Sequence, residues 1–129
     1  MDTSAFSTVE LFAGLPQDEL AGLAAAMRSE EHPIGHVLIE EGDLPSKFFV
    51  LLSGHVTVHR GGAHVLDLGP GDFFGEVGVL ELEHRNASVI ATTPVTVALA
   101  FGWDLRDHLE RLPDLRARLE QAAAERAAG

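Results

Sequence analysis

The stretch Leu68-Gly69-Pro70-Gly71-Asp72-Phe73-Phe74-Gly75-Glu76-Val77-Gly78-Val79-Leu80, followed after a short loop by Arg85-Asn86-Ala87-Ser88, carries most of the information in this chain. Gly69 to Asp72 reads as a turn. Glycine at position 75 lets the backbone come close to a ligand. If Glu76 to Leu80 forms one helical turn, its first amides are unpaired and point outward, which makes an anion site. Arg85 adds a permanent planar charge with paired donors suited to two phosphate oxygens. Glu76 would repel a phosphate, so it needs another task, and accepting a hydrogen bond from a sugar hydroxyl is the one its chemistry offers. An arginine for phosphate and a glutamate for sugar together describe a nucleotide.

Outward from this cassette the pattern is helix, strands, helices. A helical segment is expected over 7–29, where Leu20, Leu23, Ala24 and Met27 form one apolar stripe. Pro16 suits its first turn, and Asp18 and Glu19 place negative charge near the positive end of the helix dipole. Over 34–101 the chain changes to short strands punctuated by glycine. Phe48 to Leu52 is a continuous apolar run, as in a strand buried on both faces. Val56 and Val58 point one way, with His55, Thr57 and His59 opposite. Gly61-Gly62 reads as a two-residue hairpin turn because both positions can take positive φ. Ala87 to Thr92 and Val95 to Phe101 are two further strands, and Val95, Val97, Leu99 and Phe101 share a face. Such short, evenly spaced strands predict a compact β-barrel or double-sheet jelly roll. Helices return over 104–128, with Asp104 as the expected N-cap. Leu105, His108, Leu109 and Leu112 form one stripe, Pro113 interrupts it, and Leu115, Leu119 and Ala122 resume it. The tail from Gln121 to Ala128 is expected to fray.

Composition bounds the rest. The 129 residues fit one domain spanning the chain, and 46% hydrophobic residues suffice for one core. Cysteine is absent, which excludes disulfides, thiolate metal sites and cysteine nucleophiles. A net charge of −11 opposes binding to nucleic acid or anionic membranes through the whole surface. No signal peptide and no apolar run of membrane-spanning length are visible, so the expected location is cytoplasmic.

Taken together, Phe74-Gly75-Glu76, a short loop and Arg85-x-Ala87 resemble the signature of the cyclic-nucleotide-binding domain. This is the sensor module of catabolite activator-like regulators, cyclic-nucleotide-dependent kinases and gated channels. The likeness extends over nearly the whole chain. It includes Leu11-Phe12-x-x-Leu15, Gly35-x-x-Leu38-Ile39-x-Glu41-Gly42-Asp43, Phe49-x-Leu51-x-Ser53-Gly54-x-Val56 and Leu112-Pro113-x-Leu115. The resemblance implies a mainly β fold, a double-stranded β-helix of jelly-roll type forming a barrel, with one N-terminal helical segment and two C-terminal helices. It implies that Arg85 pairs with the exocyclic phosphate oxygens and that Glu76 accepts the ribose 2′-hydroxyl. The amides of Gly75, Asn86 and Ala87 would add donors, and Val65 and Phe74 would line the base pocket. The last helix, from about Leu115 to Ala122, would act as lid or dimer surface, with Leu115 and Leu119 as a narrow interface stripe. Members often carry serine, threonine or alanine where Asn86 stands, and threonine there favours guanine. Cyclic AMP is therefore expected over cyclic GMP.

The resulting expectation is a standalone regulatory module and not an enzyme. It takes a cyclic nucleotide and no further cofactor, and signals by helix movement to an unidentified effector or through a homodimer. Two other readings stay open. The fold could serve as an interaction or dimerisation scaffold with a pocket that no longer binds cyclic nucleotide. The imidazoles of His55, His59 and His64 could instead gather a metal such as zinc or iron in a barrel enzyme.

Overall fold

A computed structural model of the protein describes the backbone of residues 1–128 and the side chains of residues 1–126, so Gly129 lies outside the described residues. The N-terminal segment expected as one helix over 7–29 is instead two 3-10 turns, Thr3–Phe6 and Glu10–Phe12, followed by helix α1, Gln17–Ala26. The chain then enters strand β1, Arg28–His32, so the sheets begin earlier than position 34. β1 is polar because it is an edge strand, pairing only with β8, Val95–Phe101. Its Arg-Ser-Glu-Glu-His composition gives no apolar signal.

Two four-stranded antiparallel sheets form the body. The first runs β1-β8-β3-β6, with β3 at Lys47–Ser53 and β6 at Phe73–Phe74. The second runs β2-β7-β4-β5, with β2 at Val37–Ile39, β4 at Val56–Arg60, β5 at Ala63–Leu68 and β7 at Ser88–Ala91. The jelly-roll expectation holds, but the sheets do not close into a barrel: they face each other as two layers. The hairpin joining β4 and β5 turns at Gly61 and Gly62, with φ of 60° and 81°. Mirror-type turns need such angles to match strand twist, and only glycine adopts both without strain.

Strands β3 and β8 divide two cores by simple alternation. Phe48, Val50, Ala98 and Ala100 face the helices. Phe49, Leu51, Val95, Val97 and Leu99 face the opposite sheet. A strand buried on both sides reads as an unbroken apolar run, which is why Phe48 to Leu52 carries no alternation.

The C-terminal helices are α3, Gly102–Leu109, and α4, Pro113–Ala128. Asp104 is not the N-cap of α3; Phe101 holds that position without a side-chain cap, and Asp104 lies inside the first turn. The segment from Gln121 to Ala128 lies within α4. Leu115 and Leu119 are fully buried, together with Ala123 in place of Ala122. The two leucines pack with α1, α3 and the N-terminal turns in the helical core. A stripe consumed by the domain's own core cannot be a dimer surface, so the expected interface at Leu115 and Leu119 is corrected. Among the described residues no helix is long and apolar enough to cross a membrane.

Truncating Leu115 to alanine should therefore lower unfolding stability by about 2–5 kcal/mol in chemical denaturation, as for other large-to-small core changes. The molecular mass in solution should not change with it, whereas loss of a dimer would show this helix face to be an interface.

Candidate functional site

The cassette is placed by strand pairing. Phe73 and Phe74 pair with Val50 and Phe49, and the rings of Phe49 and Phe74 stack at 4.9 Å. This short β6 delivers Gly75 beside Lys47, at the first turn of helix α2, Glu76–Glu81. Gly75 has φ of 92°, and a Cβ there would lie 2.9 Å from the Lys47 carbonyl oxygen and 3.3 Å from Arg85 Nη1. Both the backbone angle and the space require glycine.

Arg85 is anchored through its backbone. Its amide donates to the Asp43 carbonyl, and its own carbonyl accepts from the Gly42 amide, each at 2.8 Å. Its guanidinium then turns inward, where Nη1 donates to the Gly75 carbonyl at 2.9 Å and Nη2 donates to the Lys47 carbonyl. The residue is only 8% exposed. Burial pulls its pKa below the ordinary value, opposed by the charges of Glu76 and Asp43. Among the described residues no carboxylate lies within ion-pair distance of it. The guanidinium thus meets neutral carbonyls, and its positive charge is left without a direct counter-ion beside the first turn of α2.

Glu76 has a different environment from the one the sequence suggested. It is fully buried, and both its carboxylate oxygens accept from Arg126 Nη1, at 2.6 and 2.7 Å. Arg126 belongs to the last turn of α4, and its guanidinium also lies 4.8 Å over the Phe73 ring. The Arg126 carbonyl in turn accepts from Arg60 Nη2 at 3.4 Å. The end of α4 therefore covers one side of the site through an ion pair, a cation–π contact and a hydrogen bond. Burial raises the Glu76 carboxyl above the usual carboxylate range, with Arg126 and Arg85 pulling the other way.

These groups line one cavity of about 240 Å³. Arg85, Gly75 and Glu76 form one end, with Asn86 and Ala87 following. Ile39, Val58, Leu66, Leu68 and Val89 form an apolar wall. All seven residues singled out from the sequence, Val65, Phe74, Gly75, Glu76, Arg85, Asn86 and Ala87, lie on this cavity. Phe74 serves both the cavity wall and the inter-sheet core. Val65 is 38% exposed and is the extra residue of a bulge, since Val58 pairs with Leu66 while His59 pairs with His64. Asn86 is exposed at the mouth.

Two arginines of the cavity escaped the sequence reading. Arg126 sits in an Ala-, Glu- and Arg-rich tail that looks like any solvated helix, so nothing local marks it. Arg60 did carry a signal, because it continues the inward alternation Val56, Val58, Arg60. The histidines expected as possible metal ligands do not gather. His59 and His64 meet edge to face at 5.7 Å, while the His55 ring packs against Gly69 at the other end of the strand. Among the described residues no three His, Cys, Asp or Glu side chains are arranged to hold a metal ion.

A raised carboxyl pKa means that the folded state holds the proton more tightly than the unfolded chain. The stability Glu76 contributes is then greatest at acid pH and is lost as pH rises through its elevated value. Glu76→Gln should gain stability relative to the parent as pH rises from acid toward neutral and the buried carboxyl loses its proton. Arg126→Ala should cost about 1–3 kcal/mol at neutral pH, the price of stripping a buried acceptor of its partner, and Glu76→Gln in the same chain should restore most of it. Urea denaturation across pH measures both effects, and equal losses in the single and double variants would contradict the pairing.

Comparisons with known proteins bear on the fold and the family. The family model described as "Cyclic nucleotide-binding domain" matches residues 29–111. A cAMP-dependent protein kinase regulatory subunit of Hypocrea atroviridis is 38% identical over 90 residues, covering 70% of this chain and 20% of that protein. Among solved structures, the catabolite activator protein of Thermus thermophilus superposes with a TM-score of 0.80 at 29% identity, over 92% of this chain and 58% of that one. The regulatory subunit of a cAMP-independent protein kinase A from Trypanosoma brucei superposes with a TM-score of 0.84 at 27% identity, over 94% of this chain and 44% of that one. The chain thus spans about a fifth of that curated relative, and about half of each solved neighbour.

Proposed function

Because this chain belongs to the family of cyclic nucleotide-binding domains, we propose that its cavity takes a cyclic purine nucleotide, with cyclic AMP preferred to cyclic GMP. Domains of this family are regulatory modules, not enzymes. The observation that carries the reading is Arg85, a buried residue of the cavity lining whose guanidinium has no carboxylate partner among the described residues. A single phosphate anion there gains charge-assisted hydrogen bonds from Arg85 and from the free amides at the start of α2. The apolar wall suits the flat face of a base. The preference for adenine rests on the absence at position 86 of a threonine hydroxyl.

Glu76 keeps its role toward the ribose in this proposal. An ionised carboxylate has about four lone-pair sites, so it accepts a hydroxyl beside Arg126 or in exchange for it. The cavity lies below the roughly 300–1,000 Å³ of most small-molecule pockets, so a nucleotide moves the end of α4 as it enters. Ligand binding then shifts α4 only by the difference in affinity between its two positions. An effector protein, or a further part of a longer chain, reads that shift.

A second reading, a scaffold that has lost its ligand, draws on one specific feature: Arg126 already satisfies both oxygens of Glu76. Thermal unfolding with millimolar cyclic AMP, cyclic GMP and AMP separates the two. At 100 times the dissociation constant a ligand of the folded state adds about 2.7 kcal/mol. The proposal expects that gain with cyclic AMP, a smaller one with cyclic GMP, none with AMP, and its loss in Arg85→Ala. No response to any cyclic nucleotide establishes the scaffold reading.

A further inference from the structure

Two imidazoles close the turn that joins β1 to β2. His32 ends β1, Gly35 takes φ of 88° at the corner, and the His36 amide donates back to the Pro33 carbonyl at 3.2 Å. The rings of His32 and His36 lie face to face, with centroids 3.9 Å apart and planes within 1°. Glu30 accepts from His32 Nε2 at 3.1 Å and also pairs with Arg28 at 3.4 Å.

Beside this stack the turn is fastened to the second sheet. The Gly35 amide donates to the Ala91 carbonyl at 2.8 Å, and the His36 carbonyl accepts from the Ala91 amide at 2.9 Å. Next in register come Val37 opposite Ile90 and Ile39 opposite Val89. Ile39 and Val89 belong to the apolar wall of the cavity. β2 is an edge strand of three residues. The Ala91 clamp holds one end of it, and the Glu41 and Gly42 amides, bonded to Ser88 and Arg85, hold the other.

A proton acts on the first end. Neutral imidazoles stack favourably, whereas two imidazolium ions at this separation repel, and histidine ionises in the range of about pH 5 to 8. Burial, and then the facing His32, hold the His36 pKa below its ordinary value, with Glu30 pulling the other way. The closed turn therefore binds protons less readily than an opened one. Its stability is full above the ordinary histidine value of about 6.5 and is lost as pH falls below it. The remaining charged neighbour is Glu31, which lines a cleft beside His32 with the uncharged Ser53, Pro94, Val95 and Thr96. β7 brings only the Ala91 backbone to the turn.

We propose that the stacked His32–His36 pair is an acid-opened latch on the β1–β2 turn, which holds β2 against β7 and with it one part of the cavity wall. The inference does not depend on what the cavity binds.

Amide hydrogen exchange of the full chain, read by NMR and corrected for the intrinsic effect of pH on exchange, tests this at about pH 7.5 and about pH 5, either side of the histidine range. At the acid pH the amides of Gly35 and Ala91 should lose protection about fivefold or more, the factor by which two unit charges about 4 Å apart in water shift an equilibrium. The amides of Leu51 and Leu99, in the central strands, should keep theirs, and the methyl signals of Ile39 and Val89 should shift over the same interval. His36→Phe keeps a ring over His32 but takes no proton, so it should show none of these changes. His32→Phe removes the facing charge and should show a smaller loss than the parent. Equal protection of Gly35 and Ala91 at both pH values overturns the latch, and so does a loss in either variant as large as the parent's. A matching loss at Leu51 and Leu99 overturns it too, because the whole domain then opens. Unmoved Ile39 and Val89 methyls overturn the link to the cavity wall.

Discussion

A guanidinium held between two backbone carbonyls is the contact on which the rest of the site is built. Arg85 ties Gly75, the residue before α2, to Lys47 at the start of β3. It can do so only because Gly75 has no side chain and because the Asp43 and Gly42 backbone groups fix the arginine from behind. The arrangement satisfies donors but leaves charge unneutralised. Removing an ion from water costs several kcal/mol even after the protein relaxes, and neutral carbonyls repay only part of that. The fold retains this cost at a cavity, which is where a ligand of opposite charge can relieve it.

The acid beside it solves the opposite problem. Glu76 is buried deeper than Arg85, yet its compensating charge comes from Arg126, 50 residues later in the chain. Charge balance in the cavity is therefore completed by the last helix, and not within the cassette. That makes the end of α4 part of the electrostatics of the site. Any ligand group that approaches Glu76 must share it with Arg126 or replace it, which under the proposed function couples occupancy of the cavity to the position of the helix end. The body of α4 is held separately, by Leu115 and Leu119 in the helical core. Movement is thus most readily confined to its final turns.

Much of this was legible in the sequence where local rules decide. The paired glycines at 61 and 62 dictated the hairpin, the unbroken run from Phe48 to Leu52 marked a strand covered on both faces, and the order Gly75, Glu76, Arg85 located the cavity. Where distant parts of the chain decide, the reading failed. β1 was missed because an edge strand built of Arg, Ser, Glu, Glu and His carries no apolar signature. Leu115 and Leu119 looked like an interface because periodicity reports that a face is covered, not what covers it. The closure of a barrel is likewise a property of how sheets meet, which strand spacing does not encode. Arg126 was invisible because its partner is chosen by tertiary packing alone. Arg60 could have been found by extending the alternation of Val56 and Val58 one step further.

The central claim is that the Arg85 guanidinium receives the phosphate of a cyclic nucleotide. Nitrogen-15 NMR of arginine side chains reads that event at the group itself. With saturating cyclic AMP, the account predicts a downfield shift and slowed solvent exchange of the Arg85 guanidinium protons, as new charge-assisted hydrogen bonds form. An Arg85 signal that stays unmoved while the nucleotide is demonstrably bound, or a spectrum indifferent to the nucleotide, would contradict it.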